Sequence, residues 1–132
     1  YESGLLGHSD ADVLVHAIMD ALLGAIGAGD IGHHFPDSDL RFKDADSMKL
    51  FKDVLEKVKT AGYQVVNIDA TIIAQKPKLV GFIPEIQQNI MALINQKAVQ
   101  VNIKATTTEG LGFAGRGEGI GAMAVALIDE IG

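Results

Sequence analysis

The stretch "VVNIDATII", residues 65–73, decides the fold. Val66, Ile68, Ala70 and Ile72 alternate with Asn67, Asp69 and Thr71. A two-residue period with one apolar and one polar face is that of a half-buried strand. The chain on either side has a helical period instead. Upstream, residues 47–61 set Phe51, Val54, Leu55 and Val58 on one face and Lys49, Lys52, Glu56 and Lys59 on the other, and Gly62 stops the helix. Downstream, Pro84 suits a first helical turn, and Ile86, Ile90, Leu93 and Ile94 point inward until about Asn95.

Working outward, "VQVNIKAT" (residues 99–106) alternates as a second strand, and "AMAVALIDEI" (122–131) reads as a buried third. At the other end, "HSDADVLVHAIMDALLGAIG" (8–27) is a largely apolar helix running to about Ala25. Ser9 is its expected cap, with Asp10 and Asp12 favoured in its first turn by the helix dipole. Residues 28–46 are expected to be a polar loop, long for so small a domain. The order helix, helix, strand, helix, strand, strand predicts an α+β fold: a two-layer sandwich with helices on one face of a small mixed sheet.

The 132 residues predict one domain, spanning 1–132, with a single core. Polar residues interrupt every apolar run before it could cross a bilayer, so no membrane partner is expected. The net charge of −6, spread without basic blocks, argues against nucleic acid. A small phosphorylated ligand needs only two or three cations or well-aimed amides and stays open. The absence of cysteine fits the cytoplasm.

Several polar groups could carry chemistry, and each has a structural alternative. At the expected helix start, His8 and the free amides suit a phosphate oxygen, or Ser9 simply caps and His8 is solvated. Asp12, His16 and Asp20 form an i, i+4, i+8 stripe in an otherwise apolar helix. His16 is either a metal ligand oriented by a carboxylate or a neutral core histidine bonded to Asp12 or Asp20. "TTTEGLGFAGRGEGIG" (106–121) offers hydroxyls, backbone amides and Arg116 to a diphosphate and Glu109 to a hard cation, or is a glycine-rich turn. It matches neither a Walker A loop nor a dinucleotide fingerprint. Lys76 and Lys78 flank Pro77 and either meet phosphate or stay solvated.

Taken together, "GLLGHSDADVLVHAIMDALLGA", "GDIGHHFPDSD", "TIIAQKPKL" and "IKATTTEGLGFAGRGEGI", in this order, resemble the 2-C-methyl-D-erythritol 2,4-cyclodiphosphate synthase family along essentially the whole chain. The resemblance implies a metal-dependent lyase of the non-mevalonate isoprenoid pathway. It would convert 4-diphosphocytidyl-2-C-methyl-D-erythritol 2-phosphate to the cyclic diphosphate with release of CMP. It implies His8 and Thr107 as transition-state stabilisers, His16 as a Zn²⁺ ligand, and Glu109 as a ligand of Mg²⁺ or Mn²⁺. Ser9, Asp30, Ile31 and Gly32, with Phe35, Pro36, Asp37, Ser38 and Asp39, would surround the methylerythritol. Ala74, Gln75, Lys76, Pro77, Lys78, Leu79 and Val80 would face the cytidine. Thr106, Thr107, Thr108 and Glu109 with Phe113 and Arg116 would form the phosphate end.

The family's homotrimer, with active sites between subunits and a central cavity suited to an isoprenoid diphosphate, is expected as well. Its location would be the cytoplasm, or a plastid for a plant-type source. One departure stands out. The family's two other zinc ligands lie in an Asp-x-His motif on an N-terminal strand, and this sequence contains no such motif. The chain is therefore expected to lack that strand and its hairpin, leaving the zinc site incomplete.

Overall fold

The computed structural model describes residues 2–36, 44–73, 81–106 and 121–131, with only the backbone for 2–11 and 44–46. The elements are α1 (Glu2–Ala25), α2 (Ile31–His34), α3 (Asp44–Thr60), β1 (Tyr63–Ile73), α4 (Ile83–Ile94), β2 (Gln100–Thr106) and β3 (Gly121–Glu130). The sheet has the order β2-β1-β3, with β1 parallel to β2 and antiparallel to β3. This is the expected α+β arrangement with a mixed sheet.

Helix α1 is the centre of the core. Leu14, Val15, Ile18, Met19, Leu22 and Leu23 are each at most 1% exposed, two adjacent rows of one helix face. Burial of such side chains is worth about 1.5–3 kcal/mol each. They meet Phe51, Val54 and Val58 of α3 and Ile68, Ala70 and Ile72 of β1, while Ile86, Ile90 and Ile94 of α4 extend the same core. Helix α1 lies against β3, β1 and α3, and α4 against β2. Pro84 in the first turn of α4 and left-handed Asn95 (φ 53°) at its end are where the sequence puts them.

A glycine closes α1. The Gly27 amide donates to the Gly24 carbonyl at 3.0 Å and the Ala28 amide to that of Leu23 at 2.8 Å, a Schellman pair. It requires the left-handed φ of +70° that Gly27 adopts at no steric cost.

Four expectations are corrected. Helix α1 begins at Glu2, so Ser9 lies inside it rather than at its cap, and Asp10 and Asp12 fall beyond the first turn. Residues 2–9 contain neither proline nor a β-branched side chain, so nothing sterically stops the helix extending through them. The loop expected at 28–46 contains α2, and α3 starts at Asp44.

In β1, Val65 is buried at 2% and Val66 is only half-buried. The register to β3 slips between Val65 and Asn67, and such an irregularity reverses which face a side chain joins. The third strand is not buried on both faces. Ala122, Ala124, Ala126 and Ile128 turn to the core, whereas Met123, Val125 and Leu127 are 67%, 72% and 59% exposed.

Candidate functional site

The stripe that α1 carries resolves into two separate attachments. Asp12 is buried, and its Oδ1 accepts the Ser47 hydroxyl of α3 at 2.8 Å. Asp20 lies two turns on. Its Oδ2 stands 3.4 Å from His16 Nε2, and its Oδ1 accepts the Ile31 amide at 2.8 Å. One carboxylate thus meets both the imidazole and the first residue of α2. The Asp20 carboxylate is set against the His16 ring.

The turn at 28–35 is fastened from several sides. Asp30, extended at φ −142°, caps α2 by accepting the His33 amide at 2.9 Å. Cap residues of this type satisfy amides that helix geometry leaves unpaired. His34 Nε2 meets the Ala28 carbonyl oxygen at 2.6 Å, and the Ile31 side chain is 1% exposed. Phe35 donates its amide to the Ile31 carbonyl at 2.7 Å, and the Lys57 ammonium lies 5.9 Å from its ring centroid. That separation is at the outer limit of a cation–π contact. Pro36 follows at the exposed end of this turn.

A second grouping lies at one end of the sheet. Ile73 pairs with Thr106 on one side and with Gly121 on the other. The chain therefore leaves β1 and β2 and enters β3 along one row. Both polar connections singled out in the sequence, 74–80 and 107–120, issue from that row. Two alternating strands in parallel pairing could have revealed this convergence, because parallel neighbours end together.

Among the predicted site residues, the structure brings His16, Asp30, Ile31, Gly32 and Phe35 into or beside the α1–α2 cluster and sets Thr106 at the sheet end. His8 and Ser9 are placed by backbone alone, within α1. Their amides are therefore not those of a free helix start, and the anion-site argument from that position falls. Asp37, Ser38, Asp39, Ala74, Gln75, Lys76, Pro77, Lys78, Leu79, Val80, Thr107, Thr108, Glu109, Phe113 and Arg116 lie outside the described residues. No pattern of residue types signals that Ile31 meets Asp20, that His34 clips Ala28, or that Lys57 reaches Phe35. These contacts depend on how the chain reverses after Gly27.

Among the described residues, no group of three or more His, Cys, Asp or Glu could hold a metal ion. His16 and Asp20 stand 3.4 Å apart. The described residues thus do not make a zinc site by themselves.

This architecture defines a small α+β domain whose polar connections issue from one end of a mixed sheet, with a second polar cluster where α1 turns into α2. The model of the YgbB family matches residues 1–129, and the chain belongs to that family. It is 62% identical over 130 residues to the 2-C-methyl-D-erythritol 2,4-cyclodiphosphate synthase of Geobacillus kaustophilus, covering 98% of this chain and 82% of the relative. It is 57% identical over 130 residues to the protein of the same name from Listeria monocytogenes, covering 98% and 83%.

Solved structures agree. The bifunctional IspDF of Campylobacter jejuni superposes with a TM-score of 0.82 at 44% identity, over 90% of this chain and 32% of that one. The IspF CDP complex of Plasmodium falciparum gives 0.78 at 29% identity, over 91% and 72%. Among the described residues, no helix is long and apolar enough to cross a membrane.

Proposed function

We propose that this protein is a 2-C-methyl-D-erythritol 2,4-cyclodiphosphate synthase, a phosphorus–oxygen lyase of the non-mevalonate isoprenoid pathway. Identity of 57–62% over 98% of the chain to relatives of that name carries the reading. An oxygen of the substrate's 2-phosphate attacks the β-phosphorus of its cytidine diphosphate. The bond from that phosphorus to the bridging oxygen breaks, CMP departs with the bond's electron pair, and the cyclic diphosphate is left.

The obstacle is an anion approaching an anion, so the protein must quench charge and hold the attack in line. His8 and Thr107 stabilise the crowded phosphorus as charge builds on its oxygens. Ser9, the turn at Asp30, Ile31 and Gly32, and residues 35–39 hold the methylerythritol. Residues 74–80 receive the cytidine, and the segment from Thr106 to Glu109, with Phe113 and Arg116, receives the diphosphate. The convergence of the chain on the Ile73 row supports drawing these two segments into one site.

The family uses divalent ions. His16 is the residue offered to Zn²⁺ and Glu109 the one offered to Mg²⁺ or Mn²⁺, and the steps above use only the chain's own groups.

The working unit is a homotrimer with sites between neighbouring subunits. The exposed apolar row of Met123, Val125 and Leu127 supports self-association, because monomeric proteins seldom leave such contiguous apolar surface in water. Its central cavity, at the Phe113 and Arg116 end, accepts an isoprenoid diphosphate, and the enzyme works in the cytoplasm. The chain reads as a single domain of the family, whose model matches residues 1–129.

His8→Ala tests the catalytic assignment. Turnover falls about 10²-fold, the usual cost of removing one transition-state donor, while CMP binding persists. Turnover at the wild-type level with His8→Ala contradicts the role. Failure of millimolar CMP to raise the melting temperature of the wild-type protein contradicts a nucleotide site altogether.

A further inference from the structure

We infer that Asp20 is a positioning residue that locks the His16 ring and the turn at Asp30, Ile31 and Gly32 into one rigid unit. The inference deepens the proposed synthase function and rests on it only for its catalytic consequence. The geometry stands independently. The two oxygens of one planar carboxylate serve two elements: Oδ1 takes the Ile31 amide at 2.8 Å and Oδ2 faces His16 Nε2 at 3.4 Å.

The Ile31 amide is one that α2 cannot satisfy internally, because the first amides of a helix have no carbonyl within it. Its side chain is fixed in the core at 1% exposure, so the amide has a fixed direction as well. Asp20 supplies the acceptor from eleven residues upstream, across the reversal at Gly27.

The His16 side chain is 36% exposed and that of Asp20 38%, so the carboxylate meets the ring at a half-open surface. A carboxylate that is itself anchored by a backbone amide holds the imidazole at a set orientation and favours a proton on the nitrogen that faces it. A shift of the turn at residue 31 would then pass through Asp20 to the His16 ring. The substrate-facing turn and the imidazole move as one body.

Two substitutions separate the two contacts. Asp20→Asn keeps a carbonyl oxygen for the Ile31 amide but presents an NH₂ group, which cannot accept a proton from His16. Asp20→Ala removes both. The readouts are amide hydrogen exchange at Ile31 and the imidazole ¹⁵N shifts of His16, on the whole protein, together with kcat and KM.

Asp20→Ala is expected to speed exchange at Ile31 by about tenfold or more, the scale of a lost hydrogen bond to a charged group. Asp20→Asn is expected to leave that exchange near wild type. Both variants shift the His16 ring signals. Asp20→Asn lowers kcat with little change in KM, whereas Asp20→Ala also raises KM.

Unchanged exchange at Ile31 and unchanged His16 signals in a folded Asp20→Ala protein overturn the inference, whatever the activity. A wild-type protein without cyclase activity overturns the proposed function instead, and the exchange and shift measurements still decide the role of Asp20.

Discussion

The hydroxyl of Ser47 on α3 donates to the carboxylate of Asp12 on α1 across 2.8 Å, with Ser47 fully buried and Asp12 only 7% exposed. This bond joins the two longest helices of the domain through their shared interior. Ser47→Ala leaves a buried carboxylate short of a donor, and a bond to a charged group is worth about 1.5–3 kcal/mol. We expect a loss of about 2 kcal/mol in chemical denaturation. A loss below about 0.5 kcal/mol, the usual effect of a neutral surface change, contradicts a structural role for the pair.

On the open face of the sheet, Asp69 accepts hydrogen bonds from Asn102 at 3.0 Å and Lys104 at 2.9 Å. The Asn102 bond first, and then that of Lys104, lower its pKa below the ordinary 3.8. A carboxyl whose folded value is depressed adds stability above its unfolded value, and that stability disappears as pH falls through the folded value. Asp69→Asn should therefore destabilise slightly and evenly at neutral pH. The difference from wild type should vanish in acid, below the folded value. A difference that stays the same from neutral pH into strong acid rules out Asp69 as its source.

The exposed row on β3 gives the trimer reading a direct test. Val125 is 72% exposed, so a lysine there has room in an isolated subunit and costs it little. In a trimer closed over this face, Val125→Lys buries charge against apolar neighbours, and the cost is large. Sedimentation should show the wild-type protein as a trimer and Val125→Lys as a monomer of unchanged helix content. An unchanged assembly with the variant places the subunit contacts elsewhere.

The faces of α3, α4 and β2, the end of α3 and both ends of α4 were legible in the sequence because single residues mark them. Pro84 and Asn95 bracket α4, Gly62 follows α3, and Val99, Val101 and Ile103 alternate cleanly with exposed partners. β3 misled for a physical reason. Small alanines face the helices and Met123, Val125 and Leu127 face outward, and an apolar run reads alike whichever surface covers its second face. The slip at Val65–Asn67 leaves no mark in composition, and α2 is too short to show a period.

The site was legible in a different way. The i, i+4 spacing offered His16 either Asp12 or Asp20, and the contact with Asp20 is observed. The partner at Ile31 was not legible, because a reversal of direction after Gly27 sets it. The family motifs carried the remaining residues as an ordered pattern, which periodicity alone could not supply.

The most direct measurement is a product balance. The purified protein is supplied with 4-diphosphocytidyl-2-C-methyl-D-erythritol 2-phosphate, Zn²⁺ and Mg²⁺, and phosphorus NMR and mass spectrometry follow the products. We expect CMP and 2-C-methyl-D-erythritol 2,4-cyclodiphosphate in equal amounts, because ring closure and CMP release are one event. CMP without the cyclic product, or neither compound, contradicts the proposed function.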